Sequence, residues 1–283
     1  MGKGLTALRN RNGPHRVSVS RCSTSTYNDK FFCFFVAFRC VSSDTIYMSK
    51  LAQAHAEART VYAKSVKDSS YTGSVLKLSS NDKLGKRITK GAWKGATIFT
   101  VTLEERKTCP SDCEMWSKCY GDNMPFAHRM GMDAADLMQR LEKEVAIACE
   151  TYKKVAIRLH VLGDFFSLDY VVFWRKLQHK YQNLYIWGYT AHKVGSPIGQ
   201  AITEYNTSFG GRWLVRFSNN LNDSLARVGE YTCAVDAPEE TGYVSCPEQT
   251  GKADSCGDCG LCWNHNVEKG IRFYGHWKSK KKV

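Results

Sequence analysis

Seven of the chain's twelve cysteines fall into two groups whose spacing suits metal or cluster ligation. The first is Cys109, Cys113 and Cys119, spaced C-x3-C-x5-C, with Pro110, Ser111 and Asp112 between the first two and Tyr120-Gly121 after the last. Thiolates are soft ligands that suit zinc and iron–sulfur clusters. A structural zinc site is normally closed by four ligands, whereas a [4Fe–4S] cluster held by three cysteines keeps one iron open to a small molecule. The competing readings are a zinc loop completed by His128 or a remote cysteine, and plain buried thiols. The second group is Cys246, Cys256, Cys259 and Cys262, spaced C-x9-C-x2-C-x2-C, with Gly257 and Gly260 in its tight turns. Four thiolates fit either a closed tetrahedral zinc or a second, fully ligated iron–sulfur cluster, and the spacing leaves that choice open. Cys233 is a candidate substitute ligand and reads better as a core thiol.

Such groups need a frame, and the middle of the chain supplies one. Thr97 to Leu103 is β-branched and alternating, a strand that ends just before the first cysteines. Asp133 caps a helix running to about Lys153, with Leu137, Met138, Leu141, Val145, Ala148, Cys149 and Tyr152 at helical spacing. Cys149 lies on that stripe and reads as core. Val155 to Leu162 is a second strand ending in Gly163-Asp164. Ser167 caps a helix carrying Val171, Trp174, Leu177 and Tyr181. Leu184 to Tyr189 is a third strand. Ser196-Pro197 opens the next helix with the preferred cap and first residue, and Trp213 to Phe217 is a fourth strand. Strand and helix alternating with short connections predict right-handed βαβ units and the α/β class, read here as a partial parallel (β/α) barrel with a Cys-rich C-terminal extension.

In a parallel sheet each strand delivers its last residues to one edge, where α/β folds place their sites. Those residues are Glu104 and Glu105, then Asp164, then Tyr189, Thr190 and His192, then Ser218 and Asn219. Asp164 and Ser218 stand first among them as ligand-binding candidates. His160 and Arg216 lie within strands and are candidates for the barrel interior or for hydrogen-bonded structural roles.

A strand, a cysteine triad in the loop after it, a helix and a second strand ending in Gly163-Asp164 together resemble the start of the radical SAM superfamily. The likeness is to its divergent, often phage-borne, Cys-rich branch and covers about residues 97–217, the later group being similar to that superfamily's auxiliary-cluster segments. The resemblance implies that Cys109, Cys113 and Cys119 hold a [4Fe–4S] cluster whose open iron binds S-adenosylmethionine. One-electron reduction would then release a 5′-deoxyadenosyl radical to act on a substrate the sequence does not name, with an electron donor as partner. Gly163 and Asp164 would lie where the family contacts the methionyl amine. The family's usual triad is C-x3-C-x2-C with an aromatic before the last cysteine. Here the second spacing is longer, Lys118 precedes Cys119 and the aromatic Tyr120 follows it.

Charge is unevenly spread. The chain of 283 residues carries 40 Lys and Arg against 27 Asp and Glu, a net +13. Residues 1–47 hold seven of those cations against two acids and read as a disordered leader or upstream extension, with Met48 a candidate initiator of a helical stretch through Ala63. Cys22, Cys33 and Cys40 in that segment are assigned no chemistry. The apolar run from Phe31 to Phe38 is too short to cross a bilayer, so no membrane partner and a cytoplasmic location are expected. Residues 48–94 read as helical or irregular, 95–220 as the α/β core, and 221–283 as the metal-binding extension with a basic tail. That tail interleaves Lys269, Arg272, Lys278, Lys280, Lys281 and Lys282 with Phe273, Tyr274, His276 and Trp277. Cations neutralise phosphates and aromatics stack on bases, so the alternative function is a zinc-stabilised nucleic-acid-binding protein without catalysis. No phosphate-binding loop, dinucleotide fingerprint, nucleophile elbow or H-E-x-x-H motif is present.

Overall fold

The computed structural model describes residues 43–208, 211–218, 231–238, 242–267 and 269–275. Asn219, the tail from His276 onward and the three cysteines of the leader lie outside the described residues. In chain order the elements are α1 (Ser43–Ala56), β1 (Val66–Lys67), β2 (Lys77–Leu78), β3 (Thr97–Thr100), β4 (Arg129–Met130), α2 (Ala134–Thr151), β5 (Val155–Leu159), α3 (Leu168–Lys180), β6 (Leu184–Thr190), α4 (Pro197–Ser208), β7 (Trp213–Ser218), β8 (Thr232–Val235), β9 (Val244–Ser245), α5 (Cys256–Cys259) and β10 (Ile271–Phe273).

The capping residues act as their types dictate. The Asp133 carboxylate accepts from Ala135 N at 2.8 Å, and the Ser167 hydroxyl from Tyr170 N at 3.1 Å. Ser196 Oγ accepts from Gly199 N at 3.0 Å, with Pro197 opening α4 behind it. The first helix stops at Ala56 rather than Ala63. Ala58 turns left-handed (φ 52°) and Arg59 N reaches back to the Ala54 carbonyl at 2.8 Å, the closing bond of a helix end.

Eight strands form one sheet in the order β2-β3-β5-β6-β7-β8-β10-β9. Every neighbouring pair is parallel except β2 with β3. The strands β3, β5, β6 and β7 lie side by side in chain order, so each crossover advances the sheet in the same direction. Their helices cover one face. Leu141 and Val145 of α2, Val171 and Trp174 of α3 and Ile202 of α4 pack with Val155, Ile157, Ile186 and Val215. The opposite face carries Ile98, Ala156, Trp187 and Leu214, and it is covered by Ile88, Trp93 and the Cys-rich segment through Cys246, Cys262, Trp263 and Ile271. With both faces buried, the strands read as near-continuous apolar runs. The regular pattern expected to fade after residue 220 instead continues as β8, β9 and β10, strands of two to four residues too short to show a period. The described residues belong to one compact unit.

Candidate functional site

The first cysteine loop hangs from a buried charged scaffold. Glu104, Glu105, Arg106 and Arg129 are all 2% exposed or less. Arg129 Nε donates to Glu105 Oε2 at 2.7 Å, and its other nitrogens hold the carbonyls of Gly121, Met124 and Ala127. Arg106 reaches Asp122 Oδ2 at 2.6 Å, and Arg59 meets Glu104 Oε1 at 2.7 Å. A buried carboxylate is tolerable only when paired in this way. The sequence placed Glu104 and Glu105 among the converging site groups. The structure corrects this: both carboxylates turn into the scaffold, Glu105 onto Arg129 and Thr60 and Glu104 onto Arg59.

Beyond that scaffold Cys109 lies within electrostatic reach of Asp164, Cys113 and Cys119. Burial pushes all three thiols up, Cys113 to about 11 and Cys119 to about 12, and the charge of Asp164 adds to the rise at Cys109 and Cys113. Gly163 (φ 80°) allows the approach, because a Cβ there would collide with Thr108 and Leu103 at the root of the cysteine loop. Burial also raises the Asp164 carboxyl. Its oxygens accept from Phe165 N at 2.7 Å and Ala191 N at 2.6 Å, so the side chain ties the end of β5 to the end of β6. Ser218, half-buried at the end of β7, donates to the Thr190 carbonyl at 2.9 Å. His128, the alternative zinc ligand, instead faces Tyr71, its Nδ1 being 3.5 Å from the Tyr71 hydroxyl.

The second group gathers around one small cavity lined by Cys246, Cys256, Cys259 and Cys262 together with Trp263 and Ile271. Ser255 caps the short helix α5, its Oγ donating to Asp258 Oδ2 at 2.6 Å and accepting from Asp258 N at 3.2 Å. Gly257 presses against the Arg87 carbonyl, where a Cβ could not fit. Trp263 stacks on Trp93 with centroids 5.4 Å apart and 12° between planes. Cys233 is buried on β8 in the adjoining core, and Cys149 in the helix-covered core, both as read from the sequence.

Two arginines that sequence reasoning passed over or left open face this group. Arg158 lies next to Cys256 and Cys262 and to Tyr120 and Tyr189, with its Nε finding no acceptor among the described residues. Arg216 donates from Nε to the Cys262 carbonyl at 2.9 Å, while its Nη1 has none. Strand parity was the available signal: Arg158 shares a face with Ala156, and Arg216 with Leu214. His160 lies just past the end of β5, where strand parity no longer holds, and sits on the helix side, 3.3 Å from the Tyr170 hydroxyl.

These observations test the donor sets. Guanidinium groups near Cys256 and Cys262, with N–H groups left without acceptors among the described residues, would suit an anionic centre there. Among the described residues, no group of three or more His, Cys, Asp or Glu side chains is arranged so as to hold a metal ion. No described helix is long and apolar enough to cross a membrane. The chain matches no family model, no curated protein and no solved structure.

Proposed function

We propose that this chain is an iron–sulfur enzyme of the radical SAM kind, built on a partial parallel (β/α) barrel whose interior is filled by its own Cys-rich C-terminal segment. The observation that carries the reading is Cys109, in the loop after β3, within electrostatic reach of Cys113, Cys119 and of Asp164 beyond the carboxyl end of β5. The one-directional winding of β3, β5, β6 and β7, with helices on a single face, is how barrels rather than doubly wound sheets are built. In this reading the three thiols hold a [4Fe–4S] cluster, and Asp164 and Ser218 border the place where S-adenosylmethionine binds. Once loaded and reduced by a one-electron donor partner, such a cluster would supply an open iron for the amine and carboxylate and the electron that cleaves the cofactor. Cys246, Cys256, Cys259 and Cys262 hold a second centre, iron–sulfur or zinc, with Arg158 and Arg216 as its counter-cations. Tyr120, Arg158 and Tyr189 form a row from the first thiol group to the second, each within electrostatic reach of the next. Anaerobically prepared protein tests the reading by metal and acid-labile sulfide analysis. It is expected to be brown, to carry about four iron and four sulfide for the first group, and to change its reduced EPR signal on adding S-adenosylmethionine, with Cys113→Ala abolishing that change. Colourless, sulfide-free protein after anaerobic reconstitution would overturn it.

A further inference from the structure

The loop that leads into β3 builds a second surface with no part in the reading above. Ile88 N donates to the Ala96 carbonyl at 2.9 Å and Gly95 N to the Ile88 carbonyl at 2.8 Å, which lifts residues 89–94 into an exposed turn. Lys86, Arg87, Lys90 and Lys94 are all solvent-exposed on this stretch. Lys154 joins them, its Nζ donating to the Ala92 carbonyl at 3.2 Å. Between this loop and the segment after α5 lies a cleft of ≈ 430 Å³. Lys90 stands on one wall, Asn264, His265 and Asn266 on the other, the edges of Trp93 and Trp263 at the base, and Cys259 beside them. None of the described lining residues is acidic. A rim of cations around a concave, partly aromatic cleft with amide and imidazole groups matches a polyanion that carries flat, hydrogen-bonding side groups.

We propose that this cleft binds single-stranded nucleic acid, one base entering beside Asn264 and Asn266 while the phosphates on either side follow Lys90, Lys94 and Lys154. A single strand fits and a duplex does not, because a stacked base cannot leave the helix to enter a cleft without unpairing. An acidic protein would use the cations but not the concavity. The surface differs from the basic tail and stands whether or not the chain is an iron–sulfur enzyme.

The test uses the full-length, metal-loaded chain and a fluorescein-labelled oligothymidylate of about 20 nucleotides, a length that covers one such site with margin. Binding read by anisotropy is expected to fall steeply with salt, and Lys90→Glu with Lys94→Glu to weaken it about tenfold or more. Both side chains are exposed, and an unchanged melting curve verifies that the double variant is folded. Because Trp93 and Trp263 border the cleft, tryptophan emission is expected to shift on adding the oligonucleotide to the wild type and not to the double variant. Replacing Lys278, Lys280, Lys281 and Lys282 by Gln is expected to leave the spectral shift in place. The proposal is overturned if the tail variant alone loses binding, or if polyglutamate of matched charge competes as well as unlabelled oligonucleotide. Absence of iron and sulfide would sink the enzyme reading and leave this one standing.

Discussion

The two cysteine groups are held in place by opposite kinds of physics. The first hangs on buried ion pairs, Glu105 with Arg129 and Asp122 with Arg106, which fix loop backbone that has no regular structure of its own. The second sits on a floor of Trp93, Trp187 and Trp263 and is tied down by backbone bonds such as Cys256 N to the Lys83 carbonyl at 2.8 Å. A charged scaffold is directional and specifies one geometry, but it fails abruptly when a partner is lost, because an unpaired buried charge remains. An apolar floor tolerates adjustment and weakens in proportion to the volume removed. The loop of the first group thus has a fixed shape, while the second is part of the core.

Arg129→Met is the strongest way to break this contrast. It strands Glu105 and frees the carbonyls of Gly121, Met124 and Ala127, at a cost of about 4 to 5 kcal/mol. Denaturant unfolding measures the loss, and the native-state reaction of Cys109, Cys113 and Cys119 with a thiol reagent is expected to accelerate well before that of the second group. Trp263→Ala is the mirror experiment. Losing a buried indole costs about 3 to 4 kcal/mol, and peptide mapping of labelled thiols is expected to show Cys259 and Cys262 exposed first. If either variant opens both groups together, the two supports are one cooperative unit and the contrast fails.

A smaller effect separates the acid response of the charged scaffold from that of the core beneath it. Burial, with help from Arg158, lowers the pKa of His160 from 6.5 to about 3. The unfolded chain gains a proton there below pH 6.5 while the native chain does not until about pH 3. Stability therefore falls with pH across that window by about 1.4 kcal/mol per unit, or about 2 kcal/mol at pH 5. In His160→Phe the slope is expected to flatten, whatever the variant does to stability at pH 7. Urea midpoints at pH 7, 6 and 5 check this, and the acid sensitivity that survives belongs to the carboxylates of the ion-pair scaffold.

The helices were legible because α2, α3 and α4 show only one stripe to the sheet, as Leu137, Leu141 and Val145 do, and because Asp133, Ser167 and Ser196 announce their starts. The cysteine spacing marked both groups, and strand ends placed Asp164 beside the first. Arg129 was not legible. It lies in a strand of two residues, too short to show a period, and a lone arginine gives no sign that it is fully buried. Glu104 and Glu105 misled because a polar residue after a strand can turn toward the site or away from it, and only the partner, here Thr60, Arg59 or Arg129, decides which. Nor could periodicity show that the C-terminal segment covers the face opposite the helices, since β9 and β10 are two and three residues long.

That covering has a consequence in time. Thr89 on the near edge is bonded to Asp258, 169 residues further along. A ribosome adding about 5 to 20 residues per second needs roughly 10 to 30 s to bridge that interval. Until it does, Ile98, and then Ala156, Trp187 and Leu214 as each is made, stand on a face without its cover. Every newborn copy therefore passes through a stage at which this apolar surface is bare, and what must bind it is a segment of the same chain made later.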